Sequence, residues 1–218
     1  MTDDPGARRA TRQRRTKETE IDVELDLDPG RAGGTGSPEV GAVEVDTGLP
    51  FFDHMLSQLG RHGGMGLRVR ARGDLHVDAH HTVEDVGIVV GEALAAALGD
   101  KVGIRRFASI ALPLDEALIE VALDISGRPY LAYDVALPPD TAPLGSPPFD
   151  PQLAEEFWRA LVTAAGVTLH VRLVTGKNAH HVVEASFKGV ARCLRDALRV
   201  EGAEVPSTKG TLGDGGRR

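Results

Sequence analysis

Cysteine is almost absent from this 218-residue chain: Cys193 stands alone, so no disulfide can form within it. It falls among apolar residues of an expected helix, where a buried structural thiol is expected rather than a nucleophile. A lone thiol fits a reducing compartment, and a cytoplasmic location is expected. Aromatic residues make up only 4% and the net charge is −7, so neither base stacking nor a basic field points to nucleic acid. No apolar run approaches the ~20 residues of a membrane span, and no apolar core of a signal peptide follows the N-terminal arginines. Neither nucleic acid nor a membrane is expected as a partner.

Histidine, by contrast, is concentrated. Four of the eight histidines stand in two adjacent pairs. "DAHHTVED" at 78–85 returns as "NAHHVVEA" at 178–185, displaced by 100 positions. Between 79–98 and 179–198 the alignment needs no gap. Ala79/Ala179, His80/His180, His81/His181, Val83/Val183, Glu84/Glu184, Val90/Val190, Leu94/Leu194, Ala97/Ala197 and Leu98/Leu198 are identical. The shared apolar positions recur at helical spacing, so both copies present one face to the same kind of surface.

The rest of the chain supports a duplication. "ETEIDVELDLD" (18–28) alternates as a half-buried strand, and "GLRVRARG" (66–73) alternates again. "PFFDHMLSQLGRHGG" reads as a helix opened by proline and closed by glycines. Strand-like "RFASIALPL", "EALIEVALDIS" and "PYLAYDVAL" follow the first HHxxE helix. Then come a helix ("LAEEFWRALVTAAG"), a strand ("VTLHVRLV") and the second HHxxE helix. The fold class expected is α+β: two similar α/β half-domains, about 14–103 and 104–212, with sheets covered on one face by helices. Residues 1–13, including most of the basic run "RRATRQRR", are expected as a disordered tail, and 213–218 as a flexible one. "PGRAGGTGSPEVG" (29–41) and the Pro-rich stretch 137–150 read as loops.

On a helix, residues i and i+4 share a face. His80 and Glu84 can therefore reach one ion while His81 points elsewhere, and His180, Glu184 and His181 repeat the arrangement. If the two helix starts face each other, each ion takes a His–Glu pair from one motif and the remaining histidine of the other. Imidazole and carboxylate ligands without thiolate suit Mn²⁺, Fe²⁺ or Zn²⁺, with open positions for substrate. His54 is a further potential ligand. His62, His76 and His170 carry weaker signals, His170 being readable as a core histidine on a strand.

"PFFDHMLSQLGRHG", "GDLHVDAHHTVEDVG", "PLDEALIEVALDISGRPYL", "GVTLHVRLVTGKNAHHVVEASFKG" and "VPSTKGTL" together resemble the imidazoleglycerol-phosphate dehydratases, from about Arg14 to Leu212. The resemblance implies dehydration of D-erythro-imidazole-glycerol phosphate to imidazole-acetol phosphate in L-histidine biosynthesis. It implies two Mn²⁺ per active site, ribosomal-protein-S5-domain-2-like halves, and a homo-oligomer of 24 copies with sites between subunits. Carried over by position, the metal ligands are His54, His80, His81, Glu84, Glu156, His180, His181 and Glu184. Glu156 stands where several family members have histidine. Glu18 matches a substrate-contacting glutamate and is the expected acid/base, a metal-bound water being the alternative; His62, Arg106, Arg128, Lys188, Ser207, Thr208 and Lys209 match further substrate or phosphate contacts, with Arg14 and Arg15 as weaker ones. The mechanism expected runs through a dimanganese-bound imidazolate and a diazafulvene-like intermediate. A dimetal hydrolase and a non-catalytic metal-binding scaffold are the rival readings.

Overall fold

The computed structural model describes residues 7–29 and 41–212. The elements run β1 (Arg9–Arg15), β2 (Thr19–Asp26), β3 (Val43–Asp46), α1 (Pro50–Gly63), β4 (Gly66–Gly73) and α2 (His80–Leu98). The second half repeats them: β5 (Phe107–Leu114), β6 (Ala117–Asp124), β7 (Tyr130–Asp134), α3 (Leu153–Ala165), β8 (Thr168–Thr175) and α4 (Ala179–Ala197). The two sheets have the same strand order, β1-β2-β4-β3 and β5-β6-β8-β7. In each, an antiparallel hairpin is extended by a strand–helix–strand crossover whose strands pair in parallel.

The alternation in β2 and β6 drives this architecture. Ile21, Val23 and Leu25, and their counterparts Ile119, Val121 and Leu123, are buried, while the intervening residues face outward. One face of each sheet is thus apolar and must be covered, and the helices cover it. The helices of the two halves also pack on each other across the molecule, α2 on α3 and α1 on α4. Gly87 and Gly91 make the α2–α3 crossing close: a Cβ at Gly87 would lie 2.7 Å from the Phe157 carbonyl oxygen, and one at Gly91 2.6 Å from that of Leu161.

Phe157, Trp158 and Phe187 form an aromatic knot at the centre, with Trp158 and Phe187 ring centroids 4.6 Å apart. Trp158 is fully buried. Trp158→Ala should cost about 3–5 kcal/mol. In a chain of this size that lowers Tm by roughly 10 °C. Thermal unfolding checks it; a shift of a degree or two would show that the neighbouring helices collapse into the gap.

Several expectations need correction. The chain is not a tail up to residue 13, because Arg9–Arg15 is an edge strand paired with β2 over its full length. Backbone pairing recruits it: Ala10 and Arg14 are its only partly buried residues, too few for an alternation to show. The four-residue β3 was not anticipated either. His170 is exposed on the outer face of the second sheet against Tyr130, not a core histidine. The expected tail at 213–218 and most of the 29–41 loop lie outside the described residues. No described helix is long and apolar enough to cross a membrane.

Candidate metal centre

Both HHxxE motifs open a helix, and each has a capping side chain two residues before its first histidine. Asp78 accepts from the His80 amide at 2.7 Å, and Asn178 accepts from the His180 amide at 3.0 Å. These bonds satisfy amides that a helix start leaves open, and they fix the histidine pairs at the first turn.

The α4 motif meets α1. His54, His180 and Glu184 offer ligand atoms that all lie within 4.8 Å of one another, the one such three-residue group among the described residues. Nε2 of His54 is 3.4 Å and Nε2 of His180 3.2 Å from the Glu184 carboxylate. Burial raises the Glu184 pKa, but Lys188, ion-paired at 2.8 Å, and the two histidines outweigh it and hold the carboxyl below its usual range. Converging imidazole and carboxylate donors at this spacing fit a divalent ion such as Mn²⁺. Phe51 packs edge-on against the His180 ring at 5.1 Å, and the Pro-rich loop contributes Phe149, fully buried against Phe51 and Phe52. That loop does more than lengthen a turn, since it braces the start of the helix that carries His54.

The α2 motif is arranged differently. His80 and Glu84 lie 3.8 Å apart, and His81 Nδ1 contacts Asp74 at 3.1 Å, with Glu18 at 3.8 Å. The bond to Asp74 raises the His81 pKa. Glu156 matches His54 across the duplication, 102 positions on at the same place before the helix-ending glycine. Its carboxylate is nevertheless 3.7 Å from Arg159, and it does not join His80 and Glu84 in a ligand cluster. The two HHxxE helix starts do not face each other within one chain, which was the condition for each ion to draw on both motifs. α2 and α4 pack against α3 and α1 rather than each other, so within one chain His54 completes the α4 group.

Two carboxylates that sequence reasoning passed over hold the second histidine of each pair. Asp74 is one. Glu116, in the β5–β6 turn, is the other: it accepts from His181 Nδ1 at 2.8 Å and from the amides of Lys177 and Asn178. His181 and those amides bring the Glu116 pKa down to about 2, and Glu116 raises that of His181. Asp115 lies 3.7 Å from the other ring nitrogen of His181. Asp85, one residue beyond Glu84 and nearly buried, binds Arg14 Nε at 2.7 Å and the Thr19 hydroxyl, which ties the turn carrying Glu18 to α2. Gln58 bridges His54 and His62 along α1. Burial, with Lys188 and Arg192 behind it, pushes the His62 pKa down.

The expected phosphate contacts form a separate group. Arg106 pairs with Asp124 at 2.7 Å and donates to the Pro206 carbonyl at 2.8 Å. Arg128 is exposed and 3.8 Å from the same Asp124, and Ser207 Oγ accepts from the Lys209 amide. Thr208 lies between them. The Arg106 amide donates to the carbonyl of Ala197, at the C-terminal end of α4, whereas His180 is at its N-terminal end. At 1.5 Å per residue the two groups are about 25 Å apart. Lys188 stays with the His54, His180 and Glu184 cluster.

A family model described as imidazoleglycerol-phosphate dehydratase matches residues 47–194, which include both HHxxE motifs and His54. The chain belongs to the imidazoleglycerol-phosphate dehydratase family. An imidazoleglycerol-phosphate dehydratase of Dinoroseobacter shibae is 55% identical over 208 residues, spanning 94% of this chain and 100% of that protein. One from Anaeromyxobacter sp. (strain K) is 53% identical over 206 residues, 94% and 93% of the two chains. The crystal structure of the Staphylococcus aureus dehydratase superposes with a TM-score of 0.74 at 35% identity, covering 88% of this chain and 99% of that one. The Pyrococcus furiosus enzyme, in complex with (S)-C348, gives 0.74 at 36% identity over 92% and 99%. The chain is therefore a hydro-lyase of histidine biosynthesis with the α+β fold of this dehydratase family, whose enzymes are metal-dependent.

Proposed function

We propose that the chain dehydrates D-erythro-imidazole-glycerol phosphate to imidazole-acetol phosphate with two Mn²⁺ ions per active site, in the cytoplasm. The convergence of His54, His180 and Glu184 carries this reading. The donor set supplies imidazole and carboxylate only, and the ligands proposed for the two ions are His54, His80, His81, Glu84, Glu156, His180, His181 and Glu184. Bound metal would supply Lewis acidity that favours the deprotonated imidazole ring of the substrate.

The reaction removes a proton from carbon with no carbonyl beside it, so the imidazole ring must take up electrons. Expulsion of the neighbouring hydroxyl leaves a diazafulvene-like species, and loss of the carbon proton then gives an enol that becomes the ketone. Glu18 is the residue proposed to take that proton. It lies on an exposed turn 3.8 Å from His81, and Asp85, through Thr19, fixes the turn it stands on. Arg106, Arg128, Lys188, Ser207, Thr208 and Lys209 would hold the phosphate, with charge from the cations and hydroxyl donors from Ser207 and Thr208. His62 would contact the substrate.

The separation along α4 supports sites shared between copies. A substrate of this size cannot bridge about 25 Å, so one chain's metal-ligand cluster would work with another chain's arginines. The 24-subunit assembly that the resemblance implies would provide that pairing.

Turnover by the Mn²⁺-loaded protein tests the reading. Imidazole-acetol phosphate should form from the imidazole substrate, and a phosphate ester lacking the ring should be left intact. Hydrolysis of that ester would point to a dimetal hydrolase. Glu18→Gln should lower kcat by at least ~10²-fold while leaving Mn²⁺ binding unchanged. Near-normal turnover would remove Glu18 from the chemistry.

A further inference from the structure

The duplication extends beyond the histidine motifs into the hairpin turns. Val23 faces Val69 in the first sheet and Val121 faces Val171 in the second, so β6 lies 98 positions after β2 and β8 102 after β4. Glu18, just before β2, is therefore matched by Glu116, just before β6. Asp74, just after β4, is matched by Gly176, just after β8. Each turn glutamate stands beside the second histidine of its half's pair, His81 or His181, but not in the same way. Glu116 accepts from His181 Nδ1 at 2.8 Å, whereas Glu18 is 3.8 Å from His81 Nδ1 and Asp74 holds that nitrogen at 3.1 Å.

We propose that the two halves have divided one task. Glu116 is a positioning residue that fixes the His181 ring, while in the first half Asp74 does this for His81 and thereby frees Glu18 for proton transfer. A carboxylate that accepts from Nδ1–H keeps the proton there and leaves Nε2 as the metal-binding nitrogen. Glu116 is committed on both oxygens, one to His181 and the other to the amides of Lys177 and Asn178. Among the described residues, no second carboxylate reaches His181 Nδ1, since Asp115 lies toward the other ring nitrogen at 3.7 Å. A Cβ at Gly176 would come within 2.7 Å of a Val182 methyl and 3.3 Å of the Ala117 Cα, so a side chain where Asp74 stands in the first half would force its neighbours to move. The proton-transfer role of Glu18 rests on the function proposed above; the positioning roles of Glu116 and Asp74 do not.

Mn²⁺ binding to the full-length protein, followed by the electron paramagnetic resonance of free ion during titration, tests the division without reference to turnover. Glu116→Gln keeps an oxygen for the two backbone amides but turns an NH₂ toward His181 Nδ1. The ring proton then moves to Nε2, the nitrogen needed for metal. The variant should fold, checked by circular dichroism, and bind one class of Mn²⁺ about 10–100-fold more weakly. His181→Ala should add little to that loss, because both changes act through one ring. Asp74→Asn should weaken the other class of Mn²⁺ by a similar factor, and Glu18→Gln should weaken neither. Wild-type Mn²⁺ affinity in a folded Glu116→Gln protein would overturn the proposal, as would a loss in Glu18→Gln equal to that in Asp74→Asn. If Glu116→Gln does not fold, the first-half pair still decides: Asp74→Asn at wild-type affinity sinks the division. Loss of Mn²⁺ in Glu116→Gln beside a wild-type protein that forms no imidazole-acetol phosphate would uphold the positioning role and reject the dehydratase reading instead.

Discussion

Chains carrying Glu184→Gln and chains carrying Arg128→Ala, co-expressed, should recover about a quarter of wild-type turnover, although each variant alone is at least ~10²-fold impaired. Glu184 is the carboxylate of the His54–His180 cluster, and removing its charge strips that cluster of its anionic donor. Arg128 is exposed and makes one distant ion pair, so its loss leaves the fold intact and removes a phosphate donor. Glu184 stands in the N-terminal part of α4, whereas Arg128 neighbours Asp124, the partner of Arg106 at the helix's C-terminal end. If a site draws its metal ligands from one copy and its phosphate donors from another, random mixing leaves about one site in four with both halves unaltered. Mixed assemblies no more active than their parents would place the whole reaction within one chain.

Metal removal is the second large effect. Protein stripped by a chelator should show no turnover above a no-enzyme control, and Mn²⁺ should restore it. Stability should change as well, because an ion that binds only the folded state stabilises it. Mn²⁺ at about 100 times its Kd contributes ~2.7 kcal/mol per site. Loss of one such site lowers Tm by roughly 5–10 °C in a chain of this length. Turnover that survives complete stripping would exclude a catalytic ion. A Tm drop with turnover unaffected would make the ion purely structural.

Most of the fold was legible because its signals are periodic. β2, β4 and β6 alternate and α2 and α4 carry matching apolar stripes, so each element declared its buried face. β1 carries arginines where a core strand would carry valines, and backbone pairing with ion pairs such as Arg14–Asp85 holds it. β3 is four residues long, too short for a period to register. The histidine pairs were legible because they recur, whereas a single pair would have looked like surface. Asp74 and Glu116 were not, since they reach His81 and His181 from turns seven and 65 positions away and no spacing rule links them. The 98-position match between Glu18 and Glu116 lies in the sequence, but it differs from the 100-position offset of the helices. Only the strand registers reveal which residues correspond.

The crossed pairing of helices bears on how such a chain could arise. α1 and α2 of the first half rest on α4 and α3 of the second, and the close approach at Gly87 and Gly91 spans that boundary. A lone half would present two bare apolar helix faces to water. A half-length chain would therefore need a second copy to cover those faces. In such a pair the counterparts of His54 and Glu184 would come from different copies, as here they come from different halves.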